Sequence, residues 1–183
     1  SLLLFMQAKI TIFIWAPQYI TQHFEVAASV GGTFMSNIFT AALIGSIAGT
    51  WLVAHINVRY LVFAFVGLSL VSATLLTRLD SVQDVLLLAF AYGLSVSATF
   101  NAYVAFALTQ VAFPTHRNIA YMLLMSSLGS SFAPLVSSQV VAATGDMAWA
   151  LNSAVLMLVV VVVTLAIVQL LSWQGRSRAS LAP

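Results

Sequence analysis

The segment AWALNSAVLMLVVVVVTLAIVQLLSW, which runs from Ala148 to Trp173, decides the fold class of this chain. It contains no charged side chain and is longer than the about 20 residues with which an α-helix crosses the hydrocarbon core of a bilayer. Its apolar residues also lack the strict alternation of a barrel strand. The segment therefore predicts a membrane-spanning helix, in which the backbone polar groups are bonded within the segment.

The rest of the chain has the same character. Of its 183 residues, 62% are hydrophobic and 5% are charged, and there is no cysteine. A soluble domain carries about 25% charged residues and a disordered chain is poor in apolar ones, so both classes are excluded. The net charge of +2 is too small for a nucleic-acid-binding surface, so no nucleic-acid partner is expected. We expect an all-α integral membrane protein whose surroundings are the lipid bilayer.

Polar or turn-forming clusters interrupt the apolar sequence at five places and divide it into six segments. Each segment is long enough to cross a bilayer as a helix. The sequence thus predicts a six-helix transmembrane bundle over residues 1–173, followed by a cytoplasmic tail over residues 174–183. The predicted spans are 2–20, 28–54, 60–77, 82–113, 118–143 and 148–173.

The charged residues of the predicted loops separate by sign. Six spans place both termini on one side, and the loops and tail of that side carry four arginines: Arg59, Arg117, Arg176 and Arg178. The opposite loops carry the four acids and one arginine: Glu25, Asp80, Asp84, Asp146 and Arg78. Because basic residues collect on the cytoplasmic side of membrane proteins, both termini are predicted to be cytoplasmic.

The predicted spans differ in polarity with a period of three. The third and sixth carry almost nothing polar beyond scattered Ser and Thr, whereas the others carry amides, hydroxyls or a lysine. Because polar groups in a bilayer need partners or water, the first, second, fourth and fifth spans are predicted to line an interior, and the third and sixth to face lipid. This period indicates two three-helix repeats.

Small residues at four-residue spacing form one ridge on the second span and one on the fourth. Such ridges let two helix backbones approach closely, either for ordinary packing or for hinging during transport. The fifth span holds Gly129 and Pro134 near its middle, where a proline frees a carbonyl group and permits a kink. The two ridges comprise Thr33, Asn37, Ala41, Gly45 and Gly49, and Ala89, Gly93, Ser97 and Asn101.

Lys9 is the leading candidate for a substrate-binding residue. Counted from Tyr19 as an anchor at the outer interface, Lys9 lies about 15 Å deep at about 1.5 Å per residue, half of a core about 30 Å thick. A charge at that depth costs at least about 3 kcal/mol unless it is paired or hydrated. Lys9 therefore either contacts an anionic substrate group or a carboxylate from another part of the protein, or it snorkels to the cytoplasmic face.

Three neutral side chains near the middle of their spans are second candidates for substrate binding: Asn37, Asn101 and Ser130. An amide at this depth either binds a ligand or forms an interhelical hydrogen bond. All four acids lie in loops, so no carboxylate of this chain is expected to relay a proton through the membrane. The sequence has no Ser-His-Asp grouping, metal-ligand spacing or phosphate-binding loop, so we expect neither enzymatic activity nor a metal or cofactor.

The two three-helix repeats, each with a lipid-facing third member, resemble one half of a major facilitator superfamily transporter. The loop before the third span resembles a worn form of that superfamily's cytoplasmic loop motif, in which Arg59 is the remaining arginine. Trp15-Ala16-Pro17-Gln18-Tyr19 is similar to the Trp-x-Pro-Glu-Tyr of the TsgA family of bacterial inner-membrane facilitators, and Ser36-Asn37 resembles a pair in its eighth helix. The resemblance implies that the six spans are the C-terminal half of such a transporter.

Three functional interpretations follow. The favoured one is transport of a small polar or anionic solute by alternating access, as the C-terminal half of a secondary transporter whose N-terminal six-helix half is missing. The alternatives are a six-helix assembly or accessory subunit that does not transport, and a carrier formed by two copies of this chain. The chain opens directly in apolar sequence at Ser1-Leu2-Leu3 without a basic region or cleavage site, so it does not resemble a signal peptide and we expect a fragment.

Overall fold

The computed structural model describes residues 1–111, 113 and 115–179, without the side chains of 173–179. These residues form six α-helices and no strand, which confirms the all-helical prediction. The helices are α1 (Leu2–His23), α2 (Ala28–His55), α3 (Val58–Leu76), α4 (Val82–Thr109), α5 (His116–Thr144) and α6 (Met147–Ala179).

Five of these six helices, α2 to α6, are long and apolar enough to cross a membrane, with α6 counted over Met147–Ser172. The first helix has 22 residues, which is sufficient length, but it is not one of the five. Its polar side chains Gln7, Lys9 and Gln18 and its internal Pro17 lower its mean hydropathy. Composition alone therefore supports five spans in the described chain, where the sequence pattern had predicted six.

Helix ends differ from the predicted spans where the chain leaves the apolar segments. The fourth helix ends at Thr109, before the predicted limit at Phe113, and Pro114 in the following predicted turn lies outside the described residues. At the other end of the chain, α6 continues through Ala179, so the backbone of the predicted polar tail is helical up to that point. Residues 180–183 of that tail lie outside the described residues.

The turn between α5 and α6 contains a residue in the left-handed conformation. Gly145 has φ +70°, a conformation that glycine adopts without steric cost, and its N–H donates to the carbonyl of Val141 at 2.8 Å. Asp146 then accepts from the N–H of Ala148 at 2.8 Å and caps the start of α6. In the same way the side chain of Asn57 accepts from the N–H of Arg59 and caps α3.

The helices pack in two interleaved groups. Within one group α1 lies against α5 and α6, and within the other α4 lies against α2 and α3. Fewer contacts join the groups, mainly between α1 and α2 and between α3 and α6. The start of α1 meets the end of α4 and the start of α5, while the end of α1 meets the end of α5 and the start of α6. The first helix therefore runs parallel to α5 and antiparallel to α4 and α6.

Burial does not follow the predicted division into interior and lipid-facing spans. Among the five candidate spans of the described chain, α4 is the most buried, whereas α5 and α2 are no better covered than α3 and α6. The expectation that α2 and α5 line an interior is therefore not met within this chain alone. The physical reason is that α1 and α4 occupy the centre of the two groups and leave one side of α2 and α5 open.

Candidate functional site

Lys9 lies half-buried on α1, and its ammonium Nζ stands 5.4 Å from the centroid of the Phe13 ring. Among the described residues it has neither a hydrogen bond nor an ion pair. Because α1 is continuous from Leu2 to His23, including Pro17, the distance along the helix between Lys9 and Tyr19 is about 15 Å. Lys9 thus lies about 10 Å from the first residue of α1 and about 21 Å from the last. Among the described residues, the one attractive contact of its ammonium is the face of an aromatic ring.

Phe13 connects Lys9 to two other helices. Its ring meets Phe39 of α2 edge-on, with centroids 5.7 Å apart, and Tyr92 of α4 edge-on at 6.5 Å. Tyr92 is buried, whereas Phe39 is 57% exposed. Lys9, Phe13, Phe39 and Tyr92, which we call the Lys9 cluster, therefore extend from the protein interior to the open side of α2.

Several polar atoms on α1 and α4, the helices that carry Lys9 and Tyr92, are buried without a hydrogen-bond partner among the described residues. They include the hydroxyl groups of Tyr92 and Thr11 and the indole N–H of Trp15. A buried polar group left unpaired costs about 1–3 kcal/mol, so each is a position at which water or a bound solute would be stabilised. Tyr92 belongs to the cluster itself, which makes its hydroxyl the most relevant of the three.

The two predicted amides hold α2 against α4. The Nδ2 of Asn37 donates to the carbonyl of Leu86 at 3.1 Å, and the Nδ2 of Asn101 donates to the carbonyl of Ser46 and the hydroxyl of Thr50, both at 3.2 Å. Each helix thus gives one amide to its neighbour. Both asparagines therefore form interhelical hydrogen bonds, which was the predicted alternative to substrate binding.

The remaining predicted binding residue, Ser130, is half-buried on α5. Its hydroxyl donates to the carbonyl of Ser126 at 3.0 Å, within the same helix. Pro134, one turn further on, is exposed and has no N–H for the carbonyl of Ser130, and α5 continues through it. The described contacts of Ser130 do not include the Lys9 cluster.

The small residues of the predicted ridges lie where helix backbones approach most closely. A Cβ built on Gly45 would be 2.9 Å from the Cα of Leu94, and one on Gly93 would be 2.8 Å from the Cα of Ile38. Gly49 is equally close to Ala98. The ridges of α2 and α4 therefore face each other, so these glycines serve a contact inside the bundle.

On the fifth helix, Gly129 plays the corresponding part against α1. A Cβ built there would be 3.0 Å from the carbonyl carbon of Leu3, and closer still to its oxygen. Real Cβ contacts are essentially never shorter than 3.0 Å, so this position of α5 admits only glycine without a shift of the backbone. The two helix groups are thus both assembled around glycine contacts.

Arg59 lies apart from the Lys9 cluster, at the first turn of α3. It is half-buried and lines a cavity with Tyr60, Phe63 and Gln169. The described residues contain no group of three or more His, Cys, Asp or Glu side chains that could hold a metal ion.

Sequence reasoning did not single out three of the four residues in the Lys9 cluster. Phe13, Phe39 and Tyr92 belong to three helices, and their meeting depends on how those helices pack. The position of Phe13 could have been predicted, because a residue four positions after a helical lysine lies on the same face. The sequence contains no such indication for Phe39 or Tyr92.

We compared the chain with family models, curated proteins and solved structures, and none of the three comparisons gives a match. The function of the site is therefore argued from its residues.

Proposed function

We propose that this chain is the C-terminal six-helix half of a secondary transporter of the major facilitator type, which moves a small polar or anionic solute by alternating access. The observation that carries the proposal is Lys9. It lies about two turns inside a helix of a membrane-spanning bundle, with an aromatic ring as the contact of its ammonium and no carboxylate paired to it among the described residues. Ionisable groups at such positions belong to substrate or ion pathways as a rule, because their cost is otherwise uncompensated.

The packing pattern supports two three-helix repeats. In two such repeats, α1 corresponds to α4, α2 to α5 and α3 to α6. The contacts of α1 with α5 and α6 then correspond to the contacts of α4 with α2 and α3. Both pairs of contacts are the main ones in the bundle. A chain with an internal repeat has this symmetry, and repeats of this kind form the halves of many transporters.

Hydroxyl groups on the open sides of α2 and α5 support a second half that covers them. Ser36 and Thr40 on α2, and Ser127 and Ser131 on α5, are exposed and have no hydrogen bond among the described residues. The second and fifth helices correspond to each other in the two repeats. Polar stripes on symmetry-related helices are suited to a water-filled path shared with another six-helix unit, and less suited to lipid.

We include α1 as the sixth span of this unit, with both termini in the cytoplasm of a bacterial inner-membrane protein. Its 22 residues at about 1.5 Å each give about 33 Å, enough to cross the hydrocarbon core. Its polar residues Gln7 and Thr11 are buried against other helices, so lipid does not reach them. A span shielded by protein tolerates a polarity that a lipid-facing span does not.

The solute class follows from the groups at the site. A single ammonium favours a carboxylate, phosphate or other anionic group, and the rings of Phe13 and Phe39 provide an apolar wall beside it. Asp84, which the sequence analysis placed in a loop, lies in the first turn of α4 and is exposed, and no described acid lies in the middle of a span to bind a cation. A small anion with an apolar part fits this combination.

The accessory-subunit alternative has weaker support. It requires small-residue faces to be free for a partner, but Gly45, Gly93 and Gly129 are all used in contacts inside the bundle. The faces that remain open carry hydroxyls and large apolar side chains.

Uptake by the full-length protein tests the proposal. Lys9→Ala should abolish uptake of an anionic solute found by screening a small-solute panel, and Lys9→Arg should retain a measurable part of it. Gln22→Ala is the matched control, because Gln22 is an exposed polar residue at the end of the same helix. Unchanged uptake by Lys9→Ala at normal expression would refute the role of Lys9, and absence of uptake for every solute with the wild-type protein would refute transport.

A further inference from the structure

A second cavity lies between the start of α3 and the end of α6, away from the Lys9 cluster. Its volume is about 220 Å³, and its wall includes Asn57, Arg59, Tyr60, Phe63 and Gln169. It lies on the pair of helices whose sequences are the most apolar. Tyr60 in its wall is exposed, so the cavity opens on the outer surface of the bundle.

Positive charge dominates this cavity. Arg59 contributes a guanidinium that is half-buried and has no hydrogen bond or ion pair among the described residues. The cavity also lies at the N-terminus of α3, whose dipole adds a partial positive charge within its first turn. None of the described residues that line the cavity is acidic. A bound anion would compensate both charges.

Gln169 adds a second, independent requirement. Its Oε1 is buried and has no hydrogen-bond partner among the described residues, in a stretch of α6 that is mostly Val, Leu and Ile. This oxygen accepts a hydrogen bond from a hydroxyl or an N–H, which the ionised phosphodiester of a phospholipid does not itself carry. The cavity thus offers the guanidinium of Arg59 to an acidic group of a ligand. It also offers the Oε1 of Gln169 to a hydrogen-bond donor of the same ligand.

The surface beside the cavity suits an amphiphile. Tyr60 is 76% exposed at the start of α3, as expected for an aromatic residue at a membrane interface. Further along, large apolar side chains are exposed on both helices: Leu68, Val71 and Leu75 on α3, and Leu170 and Leu171 on α6. Acyl chains would lie against such a surface while a headgroup occupied the cavity.

We propose that this cavity binds the headgroup of an anionic phospholipid that carries a free hydroxyl, with the phosphate on Arg59 and the hydroxyl on Gln169. Phosphatidylglycerol has this chemistry. The site lies in the leaflet at the end of the bundle where Arg59 is found, the end predicted to be cytoplasmic. The proposal requires that the chain lie in a membrane, but it does not depend on transport or on Lys9.

Binding of lipid to the intact protein in nanodiscs tests this site. We expect the wild-type protein to retain phosphatidylglycerol over phosphatidylcholine, and Arg59→Gln to reduce that preference about fivefold, the effect of one basic residue at an anionic membrane surface. Arg59→Lys should keep part of it, and Gln169→Leu should lower it to a smaller extent. Arg78→Gln is the matched control, because Arg78 is an exposed arginine that does not line the cavity.

Two further measurements use the wild-type protein, so they do not depend on whether the variants fold. They also distinguish a lipid phosphate from free inorganic phosphate as the ligand. Raising the salt concentration from about 0.05 to about 0.5 M should weaken the preference of the wild-type protein, since salt screens exposed charges. Free inorganic phosphate at millimolar concentration should not displace the lipid. Equal retention of the two lipids by the wild type, or an unchanged preference in Arg59→Gln, would overturn the proposal. Displacement by inorganic phosphate would overturn the assignment to a lipid.

Discussion

Gly129 of α5 lies directly against the backbone carbonyl group of Leu3 in α1. The contact is so close that the two helices touch backbone to backbone, with no side chain between them. It joins the helix that carries Lys9 to the helix that carries the exposed hydroxyls of Ser127 and Ser131. The position of α1, and hence of Lys9, therefore depends on a residue of α5.

Replacing this glycine should separate the two helices. Gly129→Ala introduces a methyl group where the Leu3 carbonyl lies, and we expect a loss of about 1–3 kcal/mol in unfolding free energy, the usual cost of overpacking. The midpoint of thermal unfolding in detergent measures it. Gly67→Ala is the control, because a Cβ on Gly67 meets nothing within 4 Å and alanine favours a helix. Equal stability of the two variants would contradict the close contact.

The amide of Asn101 should contribute to the contact of α4 with α2. Asn101→Ala removes two hydrogen bonds to α2, and we expect a loss of about 0.6–1.7 kcal/mol, the range for such bonds between membrane helices. Thermal unfolding again provides the measurement. Asn152→Ala replaces an exposed asparagine of α6 and should leave the midpoint unchanged. If both variants unfold at the wild-type temperature, the hydrogen bonds of Asn101 contribute nothing to stability.

The hydroxyl of Tyr92 should matter for binding and not for folding. Because this buried group has no partner among the described residues, Tyr92→Phe removes an uncompensated polar atom and should not lower the unfolding midpoint. If the Lys9 cluster binds the solute, the same variant should raise the KM of uptake. Tyr60→Phe removes an exposed hydroxyl and serves as the control. A lower unfolding midpoint for Tyr92→Phe would mean that the hydroxyl is hydrogen-bonded in the membrane.

The turn at Gly145 should tolerate few residues. At φ +70° a Cβ is strained, and we expect Gly145→Ala to cost about 1–2 kcal/mol of unfolding free energy, and Gly145→Asn to cost less. Gly32→Ala is a suitable control, since Gly32 lies within α2 and a Cβ there meets nothing within 4 Å. A wild-type midpoint for Gly145→Ala would show that the turn adopts another conformation in the membrane.

The positions of the helices could be predicted from the sequence because apolar segments and turn residues are local features. The ridges of small residues were also readable, since their four-residue spacing is fixed by the helix. The residues against which these ridges pack could not be predicted. Nothing about Leu3 indicates that a glycine will lie against its carbonyl group, because that contact depends on the angle at which two distant segments cross.

The candidate site shows the same division. Lys9 could be identified from its charge alone, because a lysine in an apolar helix is rare. Phe13, Phe39 and Tyr92 resemble the other aromatic residues of the chain until packing brings them together. The open sides of α2 and α5 could not be predicted either, because they depend on what the two helix groups leave uncovered.

The interleaving of the two helix groups sets an order of events during synthesis. The partners α2, α3 and α4 follow one another in the chain and can assemble as soon as they are made. The principal partners of α1 are α5 and α6, which leave the ribosome on the order of ten seconds later at 5–20 residues per second. During that interval α1 has its contacts with α2 and α4 but lacks its two principal partners. The contacts that hold α1 in place, including that of Leu3 with Gly129, therefore form after those that join α4 to α2 and α3.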